Sequence, residues 1–464
     1  MRKLTVAVAL CLSGCAVGPN YQQPKTAVDA QFANTAAASY SADDVPVQFW
    51  TLFGEPLLTK LVDQALVANK DLGIASANLR AARAARGLTR FDLFPSVTAG
   101  GSHLRVKQSE HQLPGVPEDE REFDNVDAGF DAAWELDFFG RVRRGVQAAR
   151  AEEQAAAAQL RDAQVTVTAE VARNYFVLRG LQDQLGVAIR NSENQRQTLS
   201  LTEARLDAGR GTELDTSRAT AQLQTTLASI PPLRASIAGT IYRLSVLTGQ
   251  MPTALTAELD TVQPLPALPQ INAIGTPDTL LRRRPDIRVA ERQLASATAR
   301  IGVAVGDLFP RVTFIGSVGY NAGNSSNLGN AGSETYTFGP SISWAALDLG
   351  RIRSRILIAD AQTDAALAAY ESTVLVALEE TEGALVTYGH AQSRRDTLEQ
   401  AAAASSKAAN LARQRFEGGL TDFLNVLDAE RDALSAQDSL AQSRTQTATS
   451  LIAVYKALGG GWAP

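Results

Sequence analysis

The chain has 464 residues, of which 45% are hydrophobic and 20% charged, and its formal net charge is −5. This composition excludes an intrinsically disordered protein, and the acidic balance gives a nucleic-acid partner no basic footprint. Beyond the N-terminus no apolar run approaches the length of a membrane-spanning helix, which excludes a helical membrane protein.

The N-terminus has the pattern of a secretory signal, with basic residues followed by a short apolar run. This run ends in Leu12-Ser13-Gly14-Cys15, which resembles the lipobox of bacterial lipoproteins. The resemblance implies removal of a signal peptide, residues 1–14, and lipidation of Cys15. By resemblance to lipoprotein sorting, Ala16 in the next position favours the outer membrane over the inner one. A plain signal peptide with a chance cysteine is the alternative. Cys11 lies in the removed segment, so no internal disulfide is possible in the mature chain.

The rest of the chain is a tandem duplication. The phrase Asp92-Leu93-Phe94-Pro95 recurs 215 positions later as Asp307-Leu308-Phe309-Pro310. Further on the offset becomes 210, where Trp134 matches Trp344. A period of about two hundred residues is too long for a solenoid repeat. The pattern therefore predicts two equivalent halves, residues 54–249 and 277–459.

Each half is predicted to contain a helix, a β-hairpin, a long helix and a return helix, in that order. Residues 55–94 are rich in Ala, Leu and Arg, which predicts one continuous helix. The repeated phrase marks where each such helix passes into its hairpin. The remaining elements are predicted as hairpins 96–138 and 311–347, long helices 140–208 and 350–418, a return 213–248 interrupted by Pro231-Pro232, and a return helix 422–458.

The second strand of the first hairpin alternates sharply between apolar and polar residues. One face carries Val126, Ala128, Phe130, Ala132, Trp134, Leu136 and Phe138, and the other Asp127, Asp131, Glu135 and Asp137. An apolar-out, polar-in strand is typical of an outer-membrane barrel. A soluble hairpin with one face on a core is the alternative.

Each long helix covers about 69 residues without a proline, or about 100 Å. In the second, two interleaved sets recur every seven residues: Leu367, Val374, Thr381 and Tyr388, and Tyr370, Ala377, Ala384 and Ala391. This spacing predicts coiled-coil packing. Four strands per chain cannot close a barrel, and open edges are not tolerated in lipid. Three chains supply twelve strands, which enclose a lumen.

At this point the chain resembles the TolC-like outer-membrane factors, in the lipoprotein branch that serves resistance-nodulation-division (RND) efflux pumps. The resemblance rests on Cys15, the repeated Asp-Leu-Phe-Pro, and the runs at 283–302 and 415–431. It implies a mainly α fold in which a homotrimer forms a twelve-stranded barrel and a helical periplasmic tunnel. It also implies an equatorial belt, built from 15–53, 250–276 and the tail 460–464.

The function implied is a passive exit duct in the outer membrane, fed by an inner-membrane RND pump through a periplasmic adaptor. A duct for type I protein secretion or for heavy-metal efflux is the alternative. No catalytic, metal or cofactor motif is present in the sequence. A surface position is the expected one for His103 and His111.

Two sets of site residues follow from the return helices and the turns before them. Adaptor docking is predicted at the turns, which contain Gly209, Gly211, Thr212, Gly418, Gly419 and Thr421. A gate is predicted at Leu424, Asp428 and Arg431, which share one helix face. Asp215 and Arg218 have the same three-residue spacing as Asp428 and Arg431 and are predicted to join this gate. A simple surface ion pair is the alternative for Asp428 and Arg431.

Overall fold

The computed structural model describes residues 16–33, 41, 43, 45–269, 271 and 273–462. The predicted signal peptide and Cys15 lie outside these residues. The chain divides into two compact units. The sheet unit comprises residues up to 25 together with 78–157 and 289–371, and the helical unit comprises the remainder. The units interleave both halves of the sequence, so the predicted repeat boundaries stay predictions.

The described part of the first half contains four helices and two strands. They are α1 (Pro56–Ala68), α2 (Lys70–Phe91), β1 (Ser96–Lys107), β2 (Glu122–Glu135), α3 (Arg141–Asp207) and α4 (Glu213–Leu247). A short helix, α5 (Thr256–Leu259), follows before the second half. Two 3-10 turns, Phe49–Phe53 and Glu118–Arg121, complete this part.

The second half repeats the order. It contains α6 (Pro277–Arg283), α7 (Pro285–Gly306), β3 (Arg311–Ala322), β4 (Glu334–Ser343), α8 (Leu349–Glu417) and α9 (Phe423–Ala457), with a 3-10 turn at Ser325–Asn327. The α3 and α8 helices have 67 and 69 residues. Most of the heptad residues on α8 are buried, with Val374, Ala377 and Thr381 at 1% exposure or less. None of the described helices is both long and apolar enough to cross a membrane.

The prediction of one helix over 55–94 is wrong, because the chain breaks at Asn69. This residue is extended, with φ −61° and ψ 136°, and its Oδ1 accepts hydrogen bonds from the amides of Asp71 and Leu72. Asn69 therefore ends α1 and caps α2. The second half breaks 215 positions later, at Arg284, where Pro285 disfavours helical geometry.

The predicted interruption of the first return helix is also wrong. Pro231 and Pro232 lie inside α4, which is continuous over 35 residues. Proline removes the donors to the carbonyls four residues earlier, on Leu227 and Ala228. Both prolines are exposed. Solvent can therefore hydrate the freed carbonyls, and the helix passes through this stretch.

The four strands form one antiparallel sheet in the order β1-β2-β3-β4. The register pairs Phe130 with Val318, and Val318 with Tyr336. Since side chains alternate between faces, these residues share one face. That face is apolar and exposed, with Phe130 at 58% and Tyr336 at 72%. The other face carries Asp127 and Asp131 of β2 and the Ser and Thr residues of β3 and β4.

Indole groups fasten both passages from helix to strand. Trp134 Nε1 donates to the carbonyl of Leu93 at 2.9 Å, and Trp344 Nε1 donates to that of Leu308 at 3.0 Å. The repeated Asp-Leu-Phe-Pro phrase thus supplies the same acceptor twice. The strand β2 ends at Glu135, so Leu136 and Phe138 lie beyond it and not on its apolar face as predicted.

The core of the helical unit includes residues from the segments assigned to a belt. Phe49 is fully buried and stacks on Tyr455, with ring centroids 5.1 Å apart. Phe53 packs on Phe176 at 4.7 Å. Burying such rings contributes about 2–3 kcal/mol each. These segments are therefore part of the packed fold.

Candidate functional site

The two turns that follow the long helices α3 and α8 in the helical unit have the same geometry. Gly209 and Gly419, at an offset of 210, have φ values of +67° and +73°. The amide of Gly209 donates to the Leu206 carbonyl, and that of Gly419 to the Phe416 carbonyl, both at 2.9 Å. A left-handed residue of this kind ends a helix and favours glycine. A Cβ at either glycine would meet no atom within 4 Å, so only the backbone demands glycine there.

The return helices begin differently. Thr212 caps α4 in a capping box, where its hydroxyl accepts from the Asp215 amide at 3.3 Å and its own amide donates to Asp215 Oδ2 at 3.3 Å. The cap of α9 is Asp422, and Thr421 Oγ1 accepts instead from Asn425 Nδ2 at 2.8 Å. The predicted docking residues thus occupy the two turns, and Thr212 also has a capping role.

Within one chain, an arginine joins the two turns. Arg205 Nη2 donates to the carbonyls of Phe416 at 2.5 Å and Glu417 at 3.2 Å. Its guanidinium lies 4.1 Å from the centre of the Phe416 ring, which in turn packs on Phe423. The last carbonyls of a helix lack intrahelical donors, so a cation stabilises them. Nothing in the sequence predicts this role for Arg205, whose counterpart at the offset of 210 is Arg415.

The predicted gate residues lie on the first turns of α9. Leu424 is 46% exposed, and Asp428 Oδ1 accepts from Arg431 Nη2 at 3.1 Å in an ion pair between exposed side chains. An exposed i,i+3 pair adds only a few tenths of a kcal/mol to helix stability. The gain in helix stability is therefore too small to explain why this ion pair is present.

Of the two first-half residues predicted to join the gate, Arg218 lies at a position equivalent to a gate residue of the second half, and Asp215 does not. Since α4 and α9 begin at Glu213 and Phe423, the offset of 210 places Leu214 opposite Leu424 and Arg218 opposite Asp428. Asp215 is instead occupied in the Thr212 cap. Leu214 is 57% exposed, and Arg218 is exposed with no described partner. The two halves thus present a leucine at equal positions, followed by opposite charges.

Three acidic residues occupy the polar face of β2, and their surroundings differ. Asp127 Oδ1 accepts from Ser102 Oγ at 2.5 Å. Glu135 forms an ion pair with Arg141 at 2.5 Å, which neutralises it. Asp131 is exposed and has no described cationic partner. The polar face therefore carries uncompensated negative charge at Asp127 and Asp131.

None of the three histidines has the surroundings of a metal ligand. His103 lies 3.8 Å from Asp124 on the sheet, and the side chains of His111 and His390 are exposed. Among the described residues, no group of three or more His, Cys, Asp or Glu side chains is arranged to hold a metal ion.

This combination of features defines a class of protein. A sheet with an apolar outer face, two helices of nearly seventy residues and paired glycine turns is the protomer of a trimeric outer-membrane channel, with a twelve-stranded barrel and a helical periplasmic tunnel. The chain belongs to the outer membrane efflux protein family, whose model matches residues 61–250 and 276–460.

Individual relatives agree with this assignment. The outer-membrane channel OprN shares 45% identity with the chain, with a TM-score of 0.91 over 97% of this chain and 100% of that one. The toluene efflux pump outer membrane protein TtgI of Pseudomonas putida is 32% identical, over 99% of this chain and 98% of its own. The open state of the MtrE channel of Neisseria gonorrhoeae matches with a TM-score of 0.83 at 29% identity, over 96% of this chain and 98% of that one.

These findings confirm several predictions made from the sequence. The chain is an outer-membrane exit channel that spans the outer membrane and extends into the periplasm. It acts as a homotrimer with a periplasmic adaptor and an inner-membrane pump of the RND class. The apolar sheet face accordingly contacts lipid, and the acidic face of β2 lines the lumen. The alternative of a soluble hairpin is thereby excluded.

The acidic lumen predicts cation preference. Three copies place six carboxylates, from Asp127 and Asp131, around the barrel interior. Charged rings of one sign set the ion selectivity of a pore. We expect purified trimers in planar bilayers to prefer potassium over chloride, and we expect the double variant Asp127→Asn, Asp131→Asn to lose most of that preference.

The matched control for this experiment is Asp124→Asn. Asp124 lies on the same strand but on the opposite face, where it faces His103. This change should leave the reversal potential unaltered. Anion preference in the unmodified channel would contradict the assignment of the acidic face to the lumen.

Proposed function

We propose that the channel is an exit duct for small organic molecules, and that its periplasmic end is closed at rest. The observation that carries this proposal is the exposed face of α9, where Leu424 is 46% exposed and Asp428 and Arg431 form an ion pair between exposed side chains. Around a threefold axis each residue forms a ring of three. A leucine ring excludes water, and an acidic ring controls ion passage.

The nature of the cargo is inferred from relatives. Proteins 32% identical to this chain are described as a solvent efflux pump and a toluene efflux pump outer membrane protein. A wide lumen selects little by itself, so the pump sets the cargo. No enzymatic activity is proposed for the chain itself. Type I secretion and heavy-metal efflux stay open as alternatives. Growth of a channel-deletion strain expressing this protein, challenged separately with organic solvents, antibiotics and metal salts, distinguishes export of organic molecules from heavy-metal efflux.

The turns at 209–212 and 418–421 are proposed as the docking surface for the adaptor. They are exposed at Arg210 and Leu420, the latter at 72%, and both follow a left-handed glycine. Open space around Gly209 and Gly419 leaves the backbone of each turn accessible to a partner.

Lipidation of Cys15 completes the proposal. More than one acyl chain is needed for stable anchoring. We expect mass spectrometry of the mature N-terminus to find Cys15 carrying diacylglycerol and an N-acyl chain, such as palmitate. A chain that begins unmodified at Ala16 or later would contradict this. We also expect Cys15→Ala, behind an ordinary signal, to reach the outer membrane, because the barrel inserts on its own.

A further inference from the structure

The segment that follows Cys15 lies in a polar site of unusual construction. Arg144, on the first turns of α3, is 3% exposed, and its guanidinium points at the chain's own N-terminal residues. Its Nε donates to the Val17 carbonyl at 3.0 Å, and its Nη2 donates to the carbonyls of Ala16 at 3.2 Å and Gly18 at 3.0 Å. The same Nη2 lies 2.9 Å from Asn20 Oδ1.

Among the described residues, no carboxylate pairs with Arg144. Its one remaining side-chain contact is Nη1 to Gln147 Oε1 at 2.9 Å. A buried cation is costly unless hydrogen bonds satisfy it, and here backbone carbonyls of the N-terminal segment do so. Removing that segment would leave the guanidinium without four of its five acceptors. The arginine and the segment therefore depend on each other.

Two glycines give the segment its close fit. Gly18 has φ +84°, and a Cβ there would lie 2.5 Å from Gly302 Cα on α7. A Cβ on Gly302 would in turn lie 2.7 Å from Arg144 Cγ. On the other side, the amide of Val17 donates to the Phe139 carbonyl at 3.0 Å, and a Cβ on Gly140 would collide with Ala16. Neither Gly18 nor Gly302 tolerates a larger residue without displacing a neighbour.

Tyr21 closes the far end of the site. Its hydroxyl donates to Glu291 Oε1 at 2.5 Å, and the guanidinium of Arg292 lies 5.4 Å from the ring centre. Burial, together with the bond to Glu291, raises the pKa of Tyr21, so the hydroxyl stays protonated and donates. Glu291 and Gly302 belong to the second half of the sequence, and Arg144 belongs to the first. The segment thus bridges both halves within the sheet unit.

The duplication shows that the fold alone does not require this site. At the equivalent positions, Gly87 stands for Gly302 and Ser354 for Arg144. A Cβ on Gly87 meets nothing within 4 Å, and Ser354 bonds only to the carbonyl one turn back. The sheet-to-helix passage therefore forms without an arginine or a bound segment. Of the two halves, only the first has this arrangement among the described residues.

We propose that residues 16–21, here called the strap, are the ligand of a dedicated binding site formed by Arg144, Gly302 and Glu291. Arg144 is its positioning residue. The site recognises the backbone carbonyls of the strap and the left-handed conformation of Gly18. It holds the start of the strap beside Gly140, where the sheet passes into α3. It thereby fixes the point at which any N-terminal anchor leaves the channel wall.

Hydrogen exchange by mass spectrometry on the full-length trimer in lipid nanodiscs tests the site. In Arg144→Met, we expect the Val17 amide, which donates to the Phe139 carbonyl, to exchange about tenfold faster or more, because the segment loses several bonds to a charged group that hold it in place. Peptides from β2 and from the middle of α3 should exchange as in the unmodified protein. Chymotrypsin should cleave after Tyr21 in the variant and spare the unmodified trimer.

Two further variants test the site by changing Gly18 in the strap and Gly302 on α7 instead of Arg144. Gly18→Ala, which strains the strap itself, should reproduce the effect with Arg144 intact, and it serves if Arg144→Met fails to assemble. Gly302→Ala should do the same, whereas its counterpart Gly87→Ala and the exposed Arg150→Met should not. Unchanged exchange at 16–22 in all three site variants would overturn the proposal. Loss of protection throughout β2 and α3 would also overturn it, because Arg144 would then be a general stability residue.

Discussion

The double variant Leu424→Ala, Asp428→Ala is expected to raise single-channel conductance severalfold. In the proposed gate, three leucines near the threefold axis would exclude water, and three carboxylates, each paired with Arg431 at 3.1 Å, would form a narrow charged ring. Removing both side chains widens the constriction and abolishes the dewetted zone. Current through single trimers in planar bilayers measures the effect directly. In cells, the same variant should admit large antibiotics such as vancomycin.

The control variant for the gate must remove an equally exposed leucine and a paired aspartate at positions away from the proposed gate. Leu411 on α8 is 50% exposed, close to the 46% of Leu424. Asp396 pairs with Arg395 at 2.7 Å, as Asp428 pairs with Arg431. Leu411→Ala with Asp396→Ala should therefore leave conductance unchanged. If a correctly assembled gate variant conducts like the unmodified trimer, these residues do not form the constriction.

The repeat adds a second measurement at the same level of the tunnel. Arg218 occupies the position that corresponds to Asp428, so opposite charges alternate between the two halves. If both reach the axis, Arg218→Ala should also raise conductance, and charge exchange between the two residues should restore the closed state. A silent Arg218→Ala variant would confine the gate to the second half.

The sequence predicted the larger architecture because that architecture depends on long, regular patterns. Two proline-free stretches of nearly seventy residues leave few options besides a long helix. The alternation around Phe130 and Trp134 fixed the faces of β2. The repeated Asp-Leu-Phe-Pro marked the passage from helix to strand. The sequence did not reveal why this phrase occurs twice. In the structure, the carbonyls of Leu93 and Leu308 each accept a hydrogen bond from a distant tryptophan.

The wrong predictions of helix continuity arose at positions where individual residues and the surrounding sequence favour different backbone structures. Asn69 stands in a run with high helix propensity, and only its capping bonds end α1 there. The second half did contain a signal, because Pro285 matches Lys70 at the offset of 215. Pro231 and Pro232 misled in the opposite direction, because both are exposed and solvent can hydrate the carbonyls that they leave without donors. Arg144 gave no local signal, although its replacement by Ser354 in the second half distinguishes it.

Replacing Gly419 with valine is expected to abolish complementation of a channel-deletion strain, reducing drug tolerance to that of the deletion strain. Valine is strongly disfavoured at φ +73° and would reshape the turn. The strain is about 1–2 kcal/mol and falls on a turn at the end of two long helices, so trimer and membrane level should be retained. Gly209→Val should have the same effect, because its φ is +67°.

Further variants of the turn at Gly419 distinguish the effect of backbone conformation from the effect of side-chain size. Asparagine adopts the left-handed conformation more readily than other residues, so Gly419→Asn should retain most activity. Gly418→Ala tests a neighbour without a positive φ, where a Cβ makes only ordinary contact at 3.5 Å with the Gln414 carbonyl. It should be silent. Photocrosslinkers at Arg210 and Leu420, which avoid the Thr212 cap and the Thr421 hydroxyl, should capture the adaptor. If these positions and those at Thr212 and Thr421 never do so, the turns are helix ends alone and the adaptor docks elsewhere.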